Sequence, residues 1–128
     1  SLSLLLSQVG QNMSSDMHQS NILKKVAQGQ QLKGTLEMYL TTLEEVNSDH
    51  HKAEVFKVLA RSSFDDKELI SILRAAESIN SDHHLADVLM VYSNDVKHRS
   101  DAVIDAYYES SEAISSDSHL SRVLRALR

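Results

Sequence analysis

Ser48-Asp49-His50-His51-Lys52-Ala53-Glu54-Val55-Phe56 and Ser81-Asp82-His83-His84-Leu85-Ala86-Asp87-Val88-Leu89 carry the same pattern 33 residues apart. Working outward, the Ser-Asp pair recurs at Ser15-Asp16 and Ser116-Asp117, so the four copies are spaced by 33, 33 and 35 residues. A His stands three residues after each Ser, as His18, His51, His84 and His119. An aliphatic residue or Met precedes it by two, as Met13, Val46, Ile79 and Ile114. Five after the Ser comes a small residue (Ser20, Ala53, Ala86, Ser121), and at seven an aliphatic one (Ile22, Val55, Val88, Val123). At eight stand Leu23, Phe56, Leu89 and Leu124, and at eleven Val26, Leu59, Tyr92 and Leu127. Offsets of five, eight and eleven trace one helical face.

Serine at an N-cap accepts a hydrogen bond from an orphan amide, and Asp in the first turn meets the positive end of the helix dipole. The pairs Ser15-Asp16, Ser48-Asp49, Ser81-Asp82 and Ser116-Asp117 are therefore read as helix starts. A second apolar face precedes them: Leu36, Tyr39, Leu40, Leu43 and Val46, then Leu69, Ile72, Leu73, Ala76 and Ile79, then Ile104, Tyr107, Tyr108 and Ile114. Each period thus holds two helices. The pattern predicts helices over 2–13, 17–28, 32–46, 49–61, 66–79, 82–94, 101–114 and 117–127. Asp65 with Glu68 three residues on reads as a capping box. The two residues added in the third period fall between Ser93 and Ala102.

The chain has 128 residues, no Cys and no Pro, three Gly, 41% apolar and 24% charged residues. Few turn residues argue against an all-β fold, which needs them at every hairpin. Without Cys there are no disulfides and no thiolate chemistry, a composition equally at home in the periplasm and the cytoplasm. Net charge is −5, the wrong sign for a phosphate-backbone footprint, so nucleic acid is not expected as a partner. The apolar opening, Leu2 to Leu6, is too short to span a membrane. A helix pair of this size cannot bury its apolar face alone, so neighbouring pairs must stack. The expectation is one all-α domain over residues 1–128, an α-solenoid of antiparallel helix pairs with about eight helices. Its open ends could self-associate, and the parent protein could carry more repeats.

The residues Ile114-Ser115-Ser116-Asp117 and Ser48-Asp49-His50-His51-Lys52-Ala53 resemble bihelical repeats of the HEAT and tetratricopeptide kind. More closely, they are similar to bacterial repeats written Ile-Ser-Ser-Asp-Tyr-Glu-Lys-Ala, attached to envelope sensor peptidases. The resemblance implies a bacterial helical solenoid. It does not bring the peptidase activity, because His-Glu-x-x-His does not occur.

Chemistry is sparse. Six of seven His lie just after a Ser-Asp pair, and His50, His51, His83 and His84 are the candidate metal ligands. Equivalent residues on stacked helices are ~8–10 Å apart, whereas zinc needs its nitrogens ~2.0–2.1 Å away. The expectation is instead that the offset-three ring accepts a bond near the N-cap amide, and that no cofactor is required. Ser, Asp and His side by side are capping text and not a triad, whose members come from separated segments. Glu44, Glu77 and Glu112 form a column without a nucleophile beside it. At offsets nine and six, Lys24, Lys57, Met90 and Arg125 run beside Glu54 and Asp87, a mixed stripe that is the candidate partner-binding surface. The expected function is a non-enzymatic scaffold for an unidentified protein or peptide, with a metal-responsive domain as the alternative.

Overall fold

In a computed structural model, residues 16–28 and 35–128 are described, and these contain seven α-helices and no strand. They are α1 Asp16–Gln28, α2 Leu36–Glu44, α3 Asp49–Leu59, α4 Asp66–Ala76, α5 Asp82–Val96, α6 Asp101–Ser111 and α7 Asp117–Arg125. The all-α expectation holds in this part of the chain. The helix expected over 2–13 and the Ser15 cap lie outside the described residues. The chain divides into two compact units, Ser1–Ser62 and Ser63–Arg128.

In the first unit α1 packs along α3, and α2 touches both. Leu23, Tyr39, Leu43, Val55, Phe56 and Leu59 are fully buried. Tyr39 is the unusual member, because its phenol needs a partner inside an apolar core. It donates to the Leu23 carbonyl at 2.6 Å. Burial pushes its ionisation far above the ordinary tyrosine range. Thr41 and Thr42, poor helix formers, hold their hydroxyls on the Glu37 and Met38 carbonyls one turn back.

The second unit shows the repeat directly. The pairs α4–α5 and α6–α7 are hairpins, and equivalent helices lie side by side, α4 along α6 and α5 along α7. Their shared core includes Leu69, Ile72, Leu73, Leu85, Leu89, Val103, Tyr107 and Val123. Buried Ser110 donates to the Leu73 carbonyl at 2.6 Å across the α4–α6 contact, a bond that only a small side chain can make at close approach. Tyr107 donates to the Val123 carbonyl at 2.8 Å.

Helices α2, α4 and α6 stop two or three residues before the expected ends. Val46, Ile79 and Ile114 lie past them, each held by an i→i−3 bond of 3.0–3.1 Å, and each is buried. Tightening the last turn satisfies carbonyls that the helix end would orphan and turns the aliphatic side chain into the core. The longer third period is absorbed differently: α5 has 15 residues where α3 has 11, and the turn after it is shorter. Arg99 stands in that turn. Its Nε and Nη2 grip the Asp95 carboxylate at 2.8 and 3.2 Å, Nη1 reaches Asp66 at 3.0 Å, and Nη2 also donates to the Phe64 carbonyl at 2.7 Å. Arg99 thereby ties the end of α5 to the start of α4. The Asp65–Glu68 capping box stands there with both reciprocal bonds, at 2.8 and 2.9 Å.

Tyr39→Phe keeps the ring volume but deletes the buried bond, so it should cost about 1 kcal/mol in chemical denaturation. Tyr108→Phe, at an exposed ring, should leave the midpoint unchanged.

Candidate functional site

The recurrent helix starts carry most of the distinctive polar chemistry, and their geometry decides what they do. Ser48 and Ser81 are N-caps with extended backbone, and each hydroxyl accepts from the amide three residues on, His51 or His84, at 3.3 Å. Asp16, Asp49, Asp82 and Asp117 are the first helical residues of α1, α3, α5 and α7. Ser116 holds the N-cap position of α7, but its hydroxyl makes no cap bond and faces the Ser118 hydroxyl at 3.1 Å. The sequence differs locally here: position 118 is Ser where the second and third copies have His50 and His83.

Asp82 does more than complement a dipole. Its carboxylate accepts from the Ser115 amide, with both oxygens at 3.2 Å, and from the Ser116 amide at 2.9 Å. Two orphan donors ahead of α7 are thus satisfied by the helix start of the preceding repeat. At Ser116 the N-cap amide is therefore held by Asp82 and not by the offset-three imidazole of His119. An ionised carboxylate is the stronger acceptor, and the charge also suits the N-terminus of α7.

The His rings gather along the same edge. In the second unit the His83 ring lies 5.3 Å from His84 and 5.8 Å from His119, centroid to centroid, and in the first unit His50 lies 5.2 Å from His51. His83 Nε2 is 3.4 Å from Asp87, and His50 Nε2 is 3.8 Å from Glu54. Among the described residues no group of three or more His, Asp or Glu converges as a metal cage. No described helix is long and apolar enough to cross a membrane.

The candidate stripe divides between the units. Lys24, Glu54 and Lys57 are half-buried in the first, as are Asp87 and Met90 in the second, while Arg125 is exposed. Asp87 is engaged across the repeat contact, since Arg122 Nη2 reaches it at 3.4 Å. Glu54 faces His50, one turn back on the same helix. Among the described residues three large apolar side chains are exposed, Met38, Val91 and Tyr108, and the last corrects its expected place on the buried face of the leading helix. Val91 shares offset ten with Lys25, Val58 and Ala126, a column that is half-buried at Val58 and Ala126 and exposed at Lys25 and Val91.

Two carboxylates are perturbed in opposite directions. The Arg99 hydrogen bond, helped by the Ser100 hydroxyl, holds Asp66 below the ordinary carboxylate range. Partial desolvation, with Glu109 and Glu112 nearby, raises Glu77 against the opposing pull of Arg74 and Ser110.

Asp82→Ala should cost about 1–2 kcal/mol and speed hydrogen exchange at the Ser115 and Ser116 amides. Asp117→Ala, which removes only a first-turn charge from this chain, should cost less than about 1 kcal/mol. The pH dependence has two signs. Asp66 binds fewer protons folded than unfolded, so its contribution is complete above its unfolded value of about 3.9 and is lost as pH falls through the lower folded value. Glu77 does the reverse. Glu77→Gln should raise the melting temperature at pH 7, and the gain should vanish in acid, where both side chains are neutral. A family-model scan, a search of curated proteins and a search of solved structures return no match to this chain.

Proposed function

We propose that the chain is a non-enzymatic helical-repeat scaffold, akin to HEAT and tetratricopeptide arrays and to bacterial envelope repeats, whose role is to bind another protein. The observation that supports this is the use made of its polar motif. Ser48 and Ser81 cap their own helices, and Asp82 receives the amides of the next repeat. Residue types that would serve a hydrolase are here committed to starting helices and stacking them. Function then falls to the side chains that stacking leaves at the surface. These are the flanks of the offset-nine stripe: Lys24, Lys57 and Glu54 on the first unit, Met90 and Arg125 with exposed Val91 on the second. Stacked repeats serve many partners through such surfaces, and the surface chemistry sets the choice.

Photo-crosslinking amino acids placed at Lys57 and, separately, at Val91 in the full chain test the reading in host cells. The expected result is a discrete protein adduct from at least one position, suppressed by excess unmodified chain. If neither position gives a competable protein adduct, the scaffold reading is overturned.

A further inference from the structure

The histidine edge of the second unit holds one contact that neither capping nor the apolar core explains. His83 on α5 and His119 on α7 bring their rings to 5.8 Å, centre to centre. They are not equivalent positions of the repeat, since His83 stands two residues after Ser81 and His119 three after Ser116. The rings meet diagonally, closer than the ~8–10 Å between equivalent residues on stacked helices, so the spacing that argues against a shared ion does not apply to this pair. The His83 side chain is 61% exposed, which gives an ion from solution access to it.

The spacing fits a chelate of two imidazoles. A ligating nitrogen lies about 2.0–2.1 Å from the ion and about 1.1 Å from its own ring centre, so each arm is about 3.2 Å long. Two such arms separate the ring centres by about 5.2 Å at a tetrahedral angle and by about 6.4 Å when trans. The observed separation falls between the two, and a ring rotation of a fraction of an ångström closes the chelate. The pair is also positioned in advance. Asp82 fixes the start of α7 through the Ser115 and Ser116 amides, just ahead of His119. The Asp87 carboxylate lies 3.4 Å from His83 Nε2 and is itself reached by Arg122 of α7 at 3.4 Å. A carboxylate beside one imidazole nitrogen keeps the proton there and leaves the lone pair on the other, the arrangement in which metal-ligating histidines are commonly held.

We propose that His83 and His119 together bind a divalent copper ion, which clamps α5 to α7. Copper is the choice on two grounds. It has the highest affinity for imidazole among the divalent first-row ions, and it accepts a tetragonal set of two nitrogens completed by water. Structural zinc takes four protein ligands, and among the described residues no group of three or more ligating side chains converges. The consecutive pairs His83–His84 and His50–His51, at 5.3 and 5.2 Å, are the built-in comparison, because each lies on a single helix and clamps nothing. Copper binding at this contact is independent of what the surface of the scaffold recruits.

Titration of the full chain with Cu2+ near neutral pH, followed by electron paramagnetic resonance and by competition with a chelator of known affinity, tests the site. One ion per chain should bind ahead of any other, with hyperfine coupling to two imidazole nitrogens. His83→Ala and His119→Ala should each weaken that binding by about tenfold or more, since each removes one of the two ligands. His84→Ala, His50→Ala and His51→Ala should leave it unchanged. Unaltered affinity in His119→Ala overturns the proposal, and so does loss of the tight site in His84→Ala, which puts the ion on consecutive residues of α5. Wild-type binding no tighter than that of the double variant His83→Ala/His119→Ala means an adventitious ion only and overturns it too. Circular dichroism checks that each variant folds. If His119→Ala does not, the exposed substitution His83→Ala and the nitrogen count of the wild-type spectrum decide, and coupling to a single nitrogen overturns the proposal.

Discussion

The carboxylate of Asp82 on the amides of Ser115 and Ser116 is the contact from which the second unit's architecture follows. A helix start leaves amide donors with no partner in its own turn. Here the preceding repeat supplies the acceptor, from a residue that is itself the first of a helix. One side chain therefore performs two electrostatic tasks. It sits at the positive end of α5 and at the approach to α7, and it fixes the register at which the second pair lies on the first. Hydrophobic burial supplies the larger share of stabilisation but is indifferent to small slides along the contact. The carboxylate–amide bonds are directional.

Around that register, polar groups are matched wherever close packing brings them inside. Tyr39 and Tyr107 each send a phenol to a carbonyl in a neighbouring helix, and Ser110 does the same over the α4–α6 contact. These bonds let a core with few aromatic residues use tyrosine for bulk without stranding its hydroxyl. Arg99 plays a comparable part at the periphery, where an insertion in the repeat would otherwise be a loose turn. Its guanidinium holds two carboxylates and a carbonyl in one plane-matched cluster, a task lysine could not perform with a single ammonium.

The same contacts explain why the surface, rather than the motif, is the place to look for function. Ser48, Ser81 and Asp82 of the motif are occupied with starting helices and with receiving the amides of the next repeat.

Much of this was readable from residues alone. The Ser-Asp recurrence located the starts of α3, α5 and α7 to the residue, the Asp65–Glu68 spacing announced a capping box that is present, and the offsets named the buried columns of α3 and α5. Those features are set by bonds within one turn and by a helical period of 3.6, so three or four neighbouring residues suffice to specify them. The reach of Asp82 over 33 residues, the destinations of the tyrosine hydroxyls, the Arg99 cluster and the exposure of Ser121 and Tyr108 were settled only by packing. In each of these a side chain has several local options of similar energy, and the choice among them belongs to the helix that comes to lie alongside, or fails to.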